Sequence, residues 1–152
     1  MKDIKILRYK DIKKKGFTLI ELLVTISIIG ILVSFGAAKY ITSEKQARDT
    51  QRKSDLAQYR IALENYATVN GSLYPLSDAT GKIGTLCTNL GNFIASCLHD
   101  PRTTPDYLYF VSADRISWVL GAALETGGYW EICANGKSGK ISSAPTDSSC
   151  DL

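Results

Sequence analysis

From Phe17 to Ala38 the chain reads FTLIELLVTISIIGILVSFGAA, 22 residues in which Glu21 carries the only charge. As a helix this stretch would span roughly 33 Å, enough to cross a hydrocarbon core of about 30 Å. It is a candidate membrane span. A secretory signal peptide is the rival reading, with Gly36, Ala37 and Ala38 resembling a cleavage site, but the apolar region of such peptides is shorter.

Charge is distributed unevenly around this span. The chain has 18 Lys and Arg against 15 Asp and Glu, a net +3. Residues 1–16 hold seven basic side chains against Asp3 and Asp11, a local +5, which leaves −2 for the rest. Basic residues just before an apolar span place the N-terminus in the cytoplasm and everything after Lys39 outside. A short basic run also suits nucleic acid, because Lys neutralises phosphates. The segment from Gly71 onward opposes that reading, with five basic residues against eight acidic ones, a net −3.

Neither a signal peptide nor a plain anchor explains Glu21. A carboxylate in a membrane segment is unfavourable and marks a functional site that needs a partner. Lys15 is one candidate. A free amine made by cutting just before Phe17 is a better one, although within one chain Glu21 lies a full turn deeper than Phe17. Pairing between two axially staggered chains is the natural arrangement.

Lys14-Lys15-Gly16-Phe17-Thr18-Leu19-Ile20-Glu21-Leu22 resembles the processing motif of type IV pilins and type II secretion pseudopilins. The resemblance implies cleavage after Gly16 by a prepilin peptidase, N-methylation of Phe17, and retention of Glu21 to pair with a neighbouring subunit's N-terminus during assembly. It also implies an inner-membrane assembly platform as partner. In many assembled pilins the helix loosens in this half near a proline. Here only Gly30 and Gly36 could serve, and with Ser27, Ser34 and Ala37 they would also permit close helix approach.

After Lys39 no breaker intervenes. Leu56, Tyr59, Leu63 and Tyr66 recur at helical spacing, with Ala62 and Val69 beside them, and form one apolar stripe that reads as cover for a sheet. Residues such as Glu44, Arg48, Asp49, Arg52, Asp55 and Glu64 read as a solvated face. Asn70-Gly71 ends the helix and Pro75 prevents a restart, so one helix is expected from about Thr18 to Val69. At about 75 Å it exceeds any compact small domain, and half of it must protrude. The stretch from 47 to 75 also resembles the helix end of pseudopilins and related bacterial pilins.

Residues 76–92 have the composition of an irregular loop, and Phe93 to Leu98 suggest a short helical turn. Three strands follow, Tyr107 to Ser112, Ile116 to Leu124 and Tyr129 to Ala134. The second alternates Ile116, Trp118, Leu120, Ala122 and Leu124 on one face. With turns at Asp114-Arg115 and Thr126-Gly127-Gly128 they read as an antiparallel meander packed on the helix stripe, an α+β head with segregated elements. The divisions are a basic leader (1–16), a membrane and filament-core helix (17–38), an amphipathic continuation (39–70) and an extracytoplasmic head with a C-terminal loop (71–152).

Cys87, Cys97, Cys133 and Cys150 all fall outside the cytoplasm on this topology, where disulfides persist. Four cysteines allow three pairings. The sequence-local pairs, Cys87 with Cys97 and Cys133 with Cys150, are preferred because they staple the two least regular regions at about 2–4 kcal/mol each. The second also resembles the disulfide-bounded C-terminal loop of many pilins.

Catalysis finds little support. His99-Asp100-Pro101 lacks an adjacent nucleophile, so no active site is expected. Asp100 and Asp106 flank a loop that, in some pseudopilins, lies near a calcium site. Ca²⁺ wants six to eight oxygens and carboxylates are sparse here, so calcium is the one cofactor left open. The chain is expected to be a structural subunit, polymerised with other pilins into a pilus or a secretion pseudopilus, periplasmic or extracellular once assembled. The competing class is a membrane-anchored extracytoplasmic binding domain with no filament role.

Overall fold

The computed structural model describes residues 16–102 and 106–152, with the side chains of Ala37 and Ala38 left aside. The basic leader, Lys14 and Lys15 included, lies outside the described residues. Helix α1 runs from Leu19 to Val69, 51 residues, within one residue of the expected bounds. It is followed by α2 (Ile83–Asn89), β1 (Leu108–Val111), β2 (Trp118–Ala123), β3 (Tyr129–Cys133) and β4 (Ser138–Ile141). The chain divides into two units, one through Tyr40 and one from Ile41 onward. In the first, α1 continues through Gly30 and Gly36 without a break.

The second unit is an antiparallel meander of four strands in the order β1-β2-β3-β4, laid on the latter part of α1. Gly71 stops α1 by taking a left-handed φ of 65°, which a Cβ would disfavour. The Ser72 N–H then reaches back to the Ala67 carbonyl at 2.8 Å, a Schellman-type ending that satisfies one of the helix's last acceptors.

Leu56, Tyr59, Ala62 and Leu63 of α1 are buried, as the stripe predicts, with Tyr66 partly buried beside them. Against them the sheet presents one cross-strand row, Tyr109 opposite Leu120 and Leu120 opposite Ile132. Trp118 and Ala122 share this face and are equally buried. Aromatic edges lock the layer, with Tyr59 and Tyr107 centroids 6.4 Å apart and Tyr74 and Trp118 5.9 Å apart. Each buried tyrosine hydroxyl finds an acceptor: Tyr59 donates to Leu98 O, Tyr107 to Asp55 Oδ2 and Tyr109 to Pro75 O.

Three expectations change. The short helix lies at Ile83–Asn89, in the presumed irregular loop, while Phe93 to Leu98 form only turns and bends. Ile83, Leu86, Cys87 and Leu90 recur at i, i+3, i+4 and i+7 and bury together, so packing overrides the poor helix formers between them. Ile116 sits in the β1–β2 turn, 62% exposed, instead of starting a strand. The unforeseen strand β4 pairs with β3 across a turn at Asn135-Gly136, where Gly136 has a φ of 86°.

The charged face of α1 is also not simply solvated. Asp49, Arg52 and Asp55 are 4%, 2% and 2% exposed. Arg52 grips Asp100 in a two-point clamp, Nε to Oδ2 at 2.6 Å and Nη2 to Oδ1 at 2.8 Å, and Nη1 reaches Asp49 and Glu125. Arg48 makes a second clamp on Glu125 at 2.6 and 2.7 Å, so two arginines that repel along the helix share one acid. Asp49 accepts the backbone N–H groups of Glu125 and Thr126 and the Thr126 hydroxyl. The β2–β3 turn and the loop after α2 are thereby pinned to α1. These partners are 48 to 77 residues apart in sequence, so no local pattern reveals them.

Glu125 is held down to about 2, first by the Arg48 hydrogen bonds. Burial would raise Asp49, but the Thr126 hydroxyl and the two N–H bonds keep it below the usual carboxylate range. A depressed carboxylate stabilises the fold above its unfolded value and loses that contribution as pH falls through the folded one. The melting temperature of the full chain in detergent should therefore drop as pH falls from about 4.3 toward 2, with a shallower drop in Arg48→Met. An unchanged slope in that variant would contradict the account. Separately, Leu63→Ala should cost about 2–5 kcal/mol, read as a lower denaturation midpoint at constant m-value.

Candidate functional site

The residues singled out at the N-terminus lie at the mouth of α1. Gly16 and Phe17 precede the helix without regular secondary structure, and Phe17 is 88% exposed. Thr18 caps the helix. Its Oγ1 accepts the Glu21 N–H at 3.3 Å, while Glu21 Oε2 accepts the Thr18 N–H at 2.9 Å and the Thr18 hydroxyl at 2.8 Å. This is a reciprocal capping box: an N-cap Thr and a Glu three residues on satisfy each other's orphan donors. The Thr-x-x-Glu spacing is the sequence signal of this cap, and it gives Glu21 a partner, Thr18, within its own chain.

One carboxylate oxygen is thus fixed by the chain's own cap, and Oε1 takes no hydrogen bond among the described residues. The positive end of the helix dipole favours an acid here as well. Around it the surface is hydrocarbon: Leu19, Ile20, Leu22 and Leu23 are all more than half exposed. Further along, Thr25, Ser27 and Ser34 turn their hydroxyls back onto the carbonyls of Leu22, Leu23 and Gly30 at 2.8 Å. The described part of α1 is long and apolar enough to cross a membrane.

The cysteines form two bridges, Cys87 with Cys97 and Cys133 with Cys150, with Cα atoms 5.6 and 5.9 Å apart. The first ties α2 to the loop behind it. The second ties the end of β3 to the C-terminal tail.

Asp100 and Asp106 line one small cleft with His99 and Arg102, of about 140 Å³. Both Asp100 oxygens are already engaged by the Arg52 guanidinium, and Asp106 Oδ1 accepts the Tyr107 N–H. With Asp100 committed to the Arg52 ion pair, these two carboxylates do not by themselves make a Ca²⁺ shell. Asp100 is equally unavailable to polarise His99.

The family described as the prokaryotic N-terminal methylation motif matches residues 12–37. Over 127 residues the chain is 31% identical to the type II secretion system core protein G of Vibrio cholerae, covering 76% of this chain and 86% of that protein. It is 41% identical over 61 residues to the prepilin peptidase-dependent protein D of Escherichia coli K12, 40% of this chain and 42% of that one. No solved structure matches the chain. The matched motif, the similarity that extends through the head, and a long apolar-started helix followed by a small antiparallel sheet agree: the chain belongs to the type IV pilin and type II secretion pseudopilin family, as a structural subunit and not an enzyme.

Proposed function

We propose that this subunit is cut between Gly16 and Phe17, methylated on the new Phe17 amine, and added through an inner-membrane assembly platform to a filament in which Glu21 receives a neighbour's N-terminus. The observation that carries the mechanism is the capping box, which fixes Glu21 through one oxygen and leaves the other for an incoming donor. A new ammonium at Phe17 would sit beside the positive end of its own helix dipole. That repulsion favours pairing with the Glu21 of an axially staggered neighbour over solitary burial in lipid.

Topology follows from charge. The basic leader holds the N-terminus in the cytoplasm and the span crosses once, which puts both disulfides in an oxidising compartment. Between pilus and secretion pseudopilus, the similarity of head as well as helix to a type II secretion core protein favours the pseudopilus. The shorter match to the prepilin peptidase-dependent protein covers under half of either chain.

Glu21→Ala should insert into the membrane normally, measured by resistance to carbonate extraction, yet give no filaments by electron microscopy of sheared cells. Normal filaments from this variant would sink the mechanism. Gly16→Ala followed by intact mass measurement tests the cut separately, with retention of residues 1–16 the expected result.

A further inference from the structure

Gly121 of β2, Glu131 of β3 and Gly139 of β4 stand directly opposite one another in the ladder. Leu120 and Ile132, one residue along, face α1, so this Gly-Glu-Gly row lies on the other side of the sheet. The two glycines leave a trough, and the C-terminal tail fills it. A Cβ on Gly121 would lie 2.6 Å from Pro145 Cγ, and one on Gly139 would lie 2.7 Å from Leu152 Cδ2. Between them the Asp151 N–H donates to Glu131 Oε1 at 3.0 Å. Cys150 is bonded to Cys133, and Lys137 Nζ donates to Leu152 O at 2.9 Å.

Glu131 is therefore roofed by the tail, with no measurable exposure. Its Oε1 also lies 2.9 Å from Cys133 Sγ, but a disulfide sulfur has no proton to donate. Its Oε2 has no hydrogen bond among the described residues. Among the described residues no cation bonds it. The facing positions of β2 and β4 are glycines, the tail contributes the acidic Asp151, and Lys137 is engaged by Leu152. Lys140 stands opposite Trp130 in the alternate row and lines a surface cleft with Asp151 and Leu152, and Glu131 Oε2 takes no bond from it. Burial and then the Asp151 charge push the Glu131 carboxyl above the usual glutamate range, against the Asp151 N–H bond. A buried carboxylate with one donor is costly, whereas the neutral acid is tolerated.

We propose that Glu131 is a proton-dependent latch for the C-terminal strap, residues 145–152: protonated, it seats the strap in the trough, and ionised, it loosens the strap and opens the Cys133–Cys150 bridge and the outer sheet face to solvent. A group whose folded value is raised stabilises docking fully at low pH, and the contribution fades as pH rises from the ordinary glutamate value through the folded one. Strap opening should grow with pH by up to about tenfold for each unit by which the folded value exceeds the unfolded one.

The test treats the full chain in detergent with a phosphine reductant from about pH 4 to about pH 8 and reads each disulfide by alkylation and peptide mass. Cleavage of Cys133–Cys150 relative to Cys87–Cys97, which serves as internal reference, should rise with pH in the wild type and stay at its low-pH ratio in Glu131→Gln. Asp151→Asn should keep the rise. A flat wild-type ratio, an undiminished rise in Glu131→Gln, or its loss in Asp151→Asn would each overturn the latch. Should Glu131→Gln fail to fold, carbon NMR of wild-type Glu131 decides: titration in the ordinary glutamate range refutes the proposal, and a raised titration with parallel loss of Asp151 amide protection supports it.

Discussion

Leu56, Tyr59 and Leu63 give α1 a single apolar stripe, and the row Tyr109, Leu120 and Ile132 gives the sheet its complementary layer. Neither surface closes without the other, since four short strands have no second apolar layer of their own to bury against. The rest of the head is arranged around that contact. The two turns that α1 must hold in place are secured by charge: Asp49 ties the β2–β3 turn, and Arg52 ties the loop carrying Asp100.

Placing those charges in the interior carries a risk that apolar side chains avoid. Removing one partner would strand the other without solvent, which costs far more than the intact pair contributes. The arrangement reduces the risk by redundancy. Asp49 accepts from four donors, Arg52 Nη1, the Glu125 and Thr126 N–H groups and the Thr126 hydroxyl, and Glu125 is shared by Arg48, Arg52 and the more exposed Arg102. The head thus has one orientation of turn and loop on the helix that satisfies all these groups together.

What the sequence disclosed followed from periodicity and punctuation. The apolar run, the stripe, the stop at Asn70-Gly71 and three strands were all readable because each is coded within a few residues. Helix α2 was hidden because Gly84, Thr85 and Thr88 are weak helix formers, and only burial of Ile83, Leu86 and Leu90 decides the matter. Strand β4, Ser-Gly-Lys-Ile, has almost no strand character of its own and exists by pairing with β3. The N-terminal motif announced Glu21 through its misfit charge, while Thr18 looked unremarkable until the cap geometry joined the two. The buried acids and Arg52 looked like a wet face because their partners arrive from distant chain.

The hydroxyls of Thr25, Ser27 and Ser34 are folded back onto their own helix. From Leu22 to Ser34 the segment consequently presents hydrocarbon with no outward-facing hydroxyl to grip a neighbour sideways. A second helix laid along this surface would be held by side-chain packing, with no hydroxyl proton left to donate across the contact. On the proposed pairing, the carboxylate at Glu21 would then supply the one polar contact that sets axial position.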